Sequence, residues 1–208
     1  MVDGVERVHV EQRQRRVDPV DDELVIDGQE MITRAKAPEG LPFDEVLSGW
    51  LYREAETRQL EEDSFENPGM LSVEEGEEIW NTVEGTAGKS CASCHDDAAE
   101  TMAGVAAHYP KWDPDAKRPI NIELQINKCR EENMGAEPYA FDKGGQKQLT
   151  AYIKHQSLGD PVSVDLSQGD MQEWWDKGKT VYYTRTGQLN LSCASCQDHR
   201  PDRSVRQP

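Results

Sequence analysis

The sequence contains no apolar run approaching the roughly 18 residues that a membrane-spanning helix requires. Aromatic residues make up 7% of the 208 positions and hydrophobic residues 36%, too little to suggest a large dry core built from side chains alone. Basic residues are also scarce, with 23 Lys and Arg against 40 Asp and Glu and a formal charge of −17. That balance argues against nucleic-acid binding, which depends on neutralising phosphates. It favours solubility and pairing with basic protein surfaces. The opening stretch Met1–Arg16 is polar and mixed in charge, with no apolar h-region and no small-residue cleavage site, so no export signal is visible in it. Cysteines are few and odd in number: Cys91, Cys94, Cys129, Cys193 and Cys196. Two close pairs and a singleton do not make a disulfide framework; they read as two motifs and one special thiol.

Along the chain, residues 1–45 read as weakly structured, dense in charge and broken by Pro19, Pro38 and Pro42, with a short strand or arm over Val17–Ile26. Leu47–Glu61 reads as a helix on the spacing of Leu47, Trp50, Leu51, Glu54 and Arg58. Asn67-Pro68-Gly69 is a turn signal. Ser72 with Glu75 fits a capping box that would open a helix carrying Val73, Gly76, Ile79, Trp80 and Val83 on one stripe. Gly85 and Gly88 end that helix, and Cys91-Ala92-Ser93-Cys94-His95 follows at once. A proline-punctuated loop around Pro110, Pro114 and Pro119 leads to a helix over Ile120–Asn133, where Cys129 shares a face with Ile122 and Ile126. A third helix, Gln146–Ser157, carries Leu149, Tyr152, Ile153 and Gln156 along one side. Beyond Gly159-Asp160-Pro161, a helical stretch Met171–Val181 bears Trp174 and Trp175, and the tetrapeptide CASC recurs at Cys193–Cys196, 102 residues after its first copy. Each copy follows a Trp-bearing helix, the pattern of an internal duplication.

Cys91, Cys94 and His95 carry the strongest chemical signal. Two thiols three positions apart can each form a thioether to a haem vinyl group, and the adjacent imidazole then meets the iron from one side. Haem would also supply the apolar mass that the side chains lack. A thioredoxin-like CxxC would need a βαβ setting, which the sequence does not suggest. A structural zinc site would need four ligands, and Cys193 with Cys196 are the residues that could complete one with Cys91 and Cys94.

Cys129 has two readings. Lone cysteines are often small buried hydrophobes. The alternative is a second axial ligand, a thiolate opposite His95, with the neighbouring Arg130 favouring the charged form. Met102, His108 and Met134 compete for that role, although His108 follows His95 closely and the two methionines also suit packing. In the second motif, Gln197 replaces the histidine and is a poor iron ligand, and His199 stands two positions off. Cys193 and Cys196 are therefore read as a degenerate attachment motif, and one haem rather than two is expected. Trp174 and Trp175 suit a core or an interface, Lys177 and Lys179 the surface, and the acidic runs Glu61–Asp63 and Glu74–Glu78 solvated helix faces.

From about Ser48 to Asp198 the text resembles the SoxA family of bacterial sulfur-oxidation cytochromes. The resemblance is carried by ENPGMLSVEEGEEIW (66–80), GKSCASCHD (88–96), GVAAHYPKWD (104–113), RPINIELQINKCR (118–130), LTAYIKHQS (149–157) and GQLNLSCASC (187–196). It implies a haem c held by Cys91 and Cys94, with His95 and Cys129 as iron ligands. It implies L-cysteine S-thiosulfotransferase activity, in which thiosulfate is joined oxidatively to a cysteine of a SoxYZ-like carrier, with a SoxX-like cytochrome as partner and a periplasmic location. Family members of the diheme type place catalysis at a second, C-terminal haem and its cysteine ligand. Here Gln197 stands in the second motif and no equivalent cysteine follows, so the catalytic residue is left unassigned. A truncated second domain that lacks thiosulfotransferase activity on its own is expected.

The expected fold is all-α. An N-terminal extension with one or more helices (1–69) precedes a cytochrome c domain (70–158), followed by an incomplete second cytochrome c-like domain (159–208). That last part is expected to be loosely ordered or packed on the first domain, since Trp174, Trp175, Val181, Leu189 and Leu191 would otherwise be exposed. The competing functional reading is an electron-transfer c-type cytochrome without sulfur chemistry.

Overall fold

A computed structural model describes residues 19–37, 39, 43–141 and 143–198. The fold is mainly helical, and its longest helices are α2 (Met70–Asn81), α6 (Gly145–His155) and α7 (Met171–Tyr183). α1 (Ala55–Glu62) and α5 (Ile122–Cys129) are shorter, and α3 (Ala92–His95), α4 (Ala98–Thr101) and α8 (Cys193–Gln197) span about one turn each. The strands form three small antiparallel hairpins: β1 (Val25–Ile26) with β2 (Gln29–Glu30), β3 (Arg34–Lys36) with β4 (Glu45–Leu47), and β5 (Lys111–Asp113) with β6 (Arg118–Ile120).

Two of those hairpins fall where weak structure was expected. Val25 pairs with Glu30 and Ile26 with Gln29 around Asp27-Gly28, both at positive φ (50° and 81°). Asp-Gly at positive φ is the two-residue turn that matches strand twist, so the signal was present in the sequence and outweighs the charge density around it. Of the arm expected over Val17–Ile26, Val17 and Asp18 lie outside the described residues.

The helix expected over Leu47–Glu61 is broken. Leu47 closes β4, and a 3-10 turn over Gly49–Tyr52 follows, with the Ser48 hydroxyl accepting from Trp50 N. Arg53 and Glu54 are extended (ψ 152° and 149°) before α1 begins. Burial decides this: Trp50 and Leu51 are consecutive and both buried, which a 3-10 turn with extended flanks achieves and one face of a regular helix does not.

The capping box expected at Ser72 does not form. α2 starts two residues earlier, out of the turn in which Asn67 Oδ1 accepts from Gly69 N at 2.9 Å, and Ser72 lies inside the first turn. The helix expected over Ile120–Asn133 begins later, since Ile120 belongs to β6 and Asn121 caps α5 by accepting from Leu124 N at 2.9 Å. Past Cys129 the helix widens into one π-helical turn, Arg130–Met134, ended by Gly135 at φ 61°.

The core consists of Trp80, Ala98, Ile122, Ile126, Leu149, Tyr152 and Ile153. α2 and α6 make the most extensive helix contact, and Gly76 is what lets them meet: a Cβ there would lie 2.2 Å from the Gln148 carbonyl oxygen. Trp80 and Tyr152 pack edge to face at 5.9 Å, a favoured aromatic geometry.

The β5–β6 hairpin is clipped to α5 by one buried carboxylate. Asp113 accepts from Asp115 N at 2.9 Å and Ala116 N at 3.0 Å, and Lys128 Nζ donates to it at 3.0 Å. The Ala116 amide and the Lys128 ammonium hold the Asp113 carboxyl below its ordinary value. A depressed folded-state value means that stabilisation is complete above the unfolded carboxylate range, about 3.9, and is lost as pH falls through the folded value. Asp113→Asn is therefore expected to lower the unfolding midpoint at neutral pH, and the gap from wild type should narrow on acidification below about pH 5. A gap that stays constant or widens in acid would exclude this role.

Candidate haem-attachment site

The Cys91 motif sits on a one-turn helix whose loop is pinned from two sides. Before it, Glu84 N donates to Lys89 O at 3.0 Å, with Gly85 and Gly88 at positive φ (72° and 59°) making the tight loop between them. Ser90 and Ser93 then exchange bonds, Ser90 N to Ser93 Oγ at 2.9 Å and Ser93 N to Ser90 Oγ at 3.1 Å, which opens α3. After the motif, Trp80 Nε1 donates to Asp96 O at 3.0 Å, and the Trp80 ring lies 5.8 Å from the His95 imidazole. Cys94 and His95 are exposed, while Cys91 is half-buried and packs against the core, so one turn of backbone presents two thiols and an imidazole at the core edge.

The same loop is clamped to the segment that carries Cys129. Thr86 N donates to Gly135 O at 3.2 Å and Ala87 N to Met134 O at 3.0 Å, while Arg130 and Glu84 form an ion pair. Arg130 is itself buried, lies 3.6 Å from the Tyr139 ring centroid and donates from Nε to Glu137 O at 3.0 Å. The clamp brings Cys129 within electrostatic reach of the first motif. Burial pushes the Cys91 thiol up, the Arg130 charge pulls it down, and Cys129 adds a smaller upward push. Tyr109 is pushed up by burial and then by Cys129.

His108 is engaged elsewhere, its Nδ1 2.9 Å from the Ser163 carbonyl oxygen. Met134 is buried, and Met102 packs against the core. Sequence reasoning missed Gln125, whose Nε2 donates to Cys129 Sγ at 3.3 Å. Its signal was position: it precedes Cys129 by one helical turn, the spacing at which helix side chains meet.

The donor set suits haem c. It offers two thiols at attachment spacing, an adjacent exposed imidazole and a separate half-buried sulfur, and Cys91 packs against the same core as Ile79, Met102 and Ala106. The four-thiolate alternative is not supported: among the described residues no group of three or more His, Cys, Asp or Glu is placed to hold a metal ion, so the two CASC turns do not converge.

The second CASC turn repeats the loop and serine hydrogen bonds of the first, although Asp198 (φ −92°) does not take the positive φ of Asp96 (54°). Thr186 N donates to Leu191 O at 3.0 Å as Glu84 does to Lys89. Gly187 and Asn190 take the positive-φ places of Gly85 and Gly88 (71° and 48°). Ser192 and Ser195 exchange the same bonds as Ser90 and Ser93 and form the capping box of α8. Each pairing carries the 102-residue offset of the two tetrapeptides. Tyr182 replaces Trp80 and donates to Asp198 Oδ1 at 2.5 Å, a bond that pushes its phenol up to about 12. What is not repeated is the chemistry and the cover. Gln197 replaces His95, and His199 lies outside the described residues.

On α7, Gly178 occupies the place of Gly76, yet nothing lies within 4 Å of its Cβ position. Trp174, Trp175, Val181, Leu189 and Leu191 are all exposed. The Trp pair is therefore not core within this chain; its exposure leaves the interface role as the one it can fill. Lys177 and Lys179 sit over Trp174 and Trp175, each 5.2 Å from the ring centroid. α7 is nonetheless a regular helix, anchored by buried Met171 and by contact with β6. The segment before it runs back along the first unit, with Ser163 N donating to Ala107 O at 2.7 Å and Gly169 against the Trp112 indole. No helix among the described residues is long and apolar enough to cross a membrane.

Residues 75–162 match the family model described as SoxA/TsdA, cytochrome c domain. The L-cysteine S-thiosulfotransferase subunit SoxA of Pseudaminobacter salicylatoxidans is 71% identical over 189 residues, covering 91% of this chain and 66% of that protein. The corresponding subunit of Paracoccus pantotrophus is 38% identical over 195 residues, covering 91% of this chain and 67% of that protein. The crystal structure of SoxXA from P. pantotrophus superposes with a TM-score of 0.82 at 38% identity, over 91% of this chain and 73% of that one. The chain thus spans about two thirds of the length of these curated relatives. On sequence and on fold alike, it belongs to the SoxA family and contains that family's cytochrome c domain.

Proposed function

We infer that this chain carries one haem c, bonded through Cys91 and Cys94, with His95 and Cys129 as iron ligands. We infer further that it serves as the SoxA-type subunit of a periplasmic L-cysteine S-thiosulfotransferase. The observation that supports this reading is the clamp of the Glu84–Lys89 loop, which leads into a complete CxxCH turn, onto the Arg130–Gly135 segment that directly follows Cys129.

Bound haem would supply a one-electron couple. The chain's own residues do the rest. Trp80 braces the His95 ring and fixes the end of α3 through Asp96. Arg130 places a positive charge near the Cys91 sulfur. In the reaction proposed for the complex, a sulfur–sulfur bond forms between thiosulfate and a cysteine of a SoxYZ-like carrier. The carrier thiol gives up its proton, and two electrons leave one at a time to cytochrome, with a SoxX-like cytochrome as partner. The net acidity of −17 suits docking to basic partner surfaces. No residue of this chain is assigned the sulfur-transfer step. Gln197 offers an amide where an imidazole would be needed, and this favours one alternative, an electron carrier without sulfur chemistry.

Expression in a host competent in cytochrome maturation tests the assignment. The intact mass should exceed the polypeptide mass by one haem, and the colour should survive acid–organic extraction. The Cys91→Ser, Cys94→Ser double variant should lose it, while Cys193→Ser, Cys196→Ser should keep it. Colourless wild-type protein would refute the haem assignment. Thiosulfate-dependent reduction in the presence of a SoxX-like cytochrome and a SoxYZ-like carrier separates the enzyme reading from the electron carrier.

A further inference from the structure

In the sequence, Arg130 is the residue that stands out as acting on the Cys129 sulfur. In the structure its guanidinium is engaged by the Glu84 carboxylate, the Tyr139 ring and the Glu137 carbonyl. The side chain that reaches the sulfur is Gln125, with Nε2 donating to Cys129 Sγ at 3.3 Å. Both residues lie on α5, one turn apart, and both are half-buried. α5 is capped by Asn121 and anchored by Ile122 and Ile126 in the core. Donor and sulfur thus ride on one rigid element, and their separation does not depend on the loop that carries the attachment motif.

We propose that Gln125 is a positioning residue for the Cys129 sulfur: its amide selects the orientation in which that sulfur meets the iron and withdraws electron density from it. The proposal rests on Cys129 being an iron ligand, as inferred above. A thiolate pushes charge onto iron and favours the ferric state. An N–H donated to the sulfur draws part of that charge back, so removing it strengthens the push and lowers the reduction potential. The contact is local to α5, so its loss leaves attachment and the α2–α6 core untouched.

The test uses the haem-loaded chain. Gln125→Met and Gln125→Leu retain the bulk of the side chain and its helix propensity but have no N–H to donate. Both are expected to shift the redox equilibrium toward the ferric form by about tenfold, equivalent to about 59 mV for one electron. Haem content per chain should be unchanged, and the ferric low-spin EPR signal should shift. If both variants stay within about twofold of wild type while Cys129→Met abolishes the thiolate signal, Gln125 does not act on the sulfur although Cys129 is a ligand. If Cys129→Met leaves the ferric spectrum unaltered, the ligand assignment fails and this proposal fails with it.

Discussion

Gly76→Ala is expected to destabilise the chain by about 3 kcal/mol, the upper part of the range for overpacked cores. For a protein of this size that is a fall of roughly 6–12 °C in unfolding temperature. The added methyl would sit 2.2 Å from the Gln148 carbonyl oxygen and 2.6 Å from Tyr152 Cβ. A carbonyl in the middle of α6 cannot move without the helix, so α2 and α6 must separate and the Trp80–Tyr152 contact is lost with them. The chain supplies its own control. Gly178 is the same residue at the same place in α7, with open space around its Cβ position. Gly178→Ala should stabilise α7 by about 0.5–1 kcal/mol, because only the backbone-entropy term remains. Calorimetry on the two single variants decides the matter; equal effects of the same sign would show that helix contact at Gly76 is not what holds the first unit together.

Cys129→Met is expected to raise the reduction potential of the haem-loaded chain by on the order of 0.3 V, a large share of the roughly 0.8 V that axial ligands command. A thioether donates far less charge than a thiolate, so the ferric form loses its main stabilisation. Met is larger than Cys by two carbon atoms, but its side chain is flexible and the position is only half-buried, so the fold should persist. Potentiometric titration gives the shift, and ferric EPR gives the loss of the thiolate signal. A variant indistinguishable from wild type by both would remove Cys129 from the iron and return the position to packing.

Much of the geometry around the CxxCH turn was legible because it is local. Cys91, Cys94 and His95 occupy one helical turn, and the glycines and serines that shape the turn stand beside them in the text. α6 was legible because Leu149, Tyr152 and Ile153 fall at helical spacing and are all buried. Other parts depended on contacts far apart in sequence. The break at Arg53-Glu54 follows from burying Trp50 and Leu51 together, which spacing alone does not reveal. Ser72 looked like a cap, yet the Asn67-Pro68-Gly69 turn starts the helix earlier and leaves the box no role. Arg130 was singled out for its charge, whereas the neutral Gln125 makes the contact with Cys129. A partnered guanidinium is committed to its carboxylate, and only coordinates show that Glu84, forty-six residues away, is the partner.

The second CASC turn bends its backbone at the same positions as the first, through Gly187, Asn190 and the Ser192–Ser195 pair, with Gln197 standing where the first has His95. Those bends are specified by residues that never touch a metal. Shape and reactivity are therefore separable in this architecture: the same bent loop and serine bonds hold whether an imidazole or an amide follows the second cysteine.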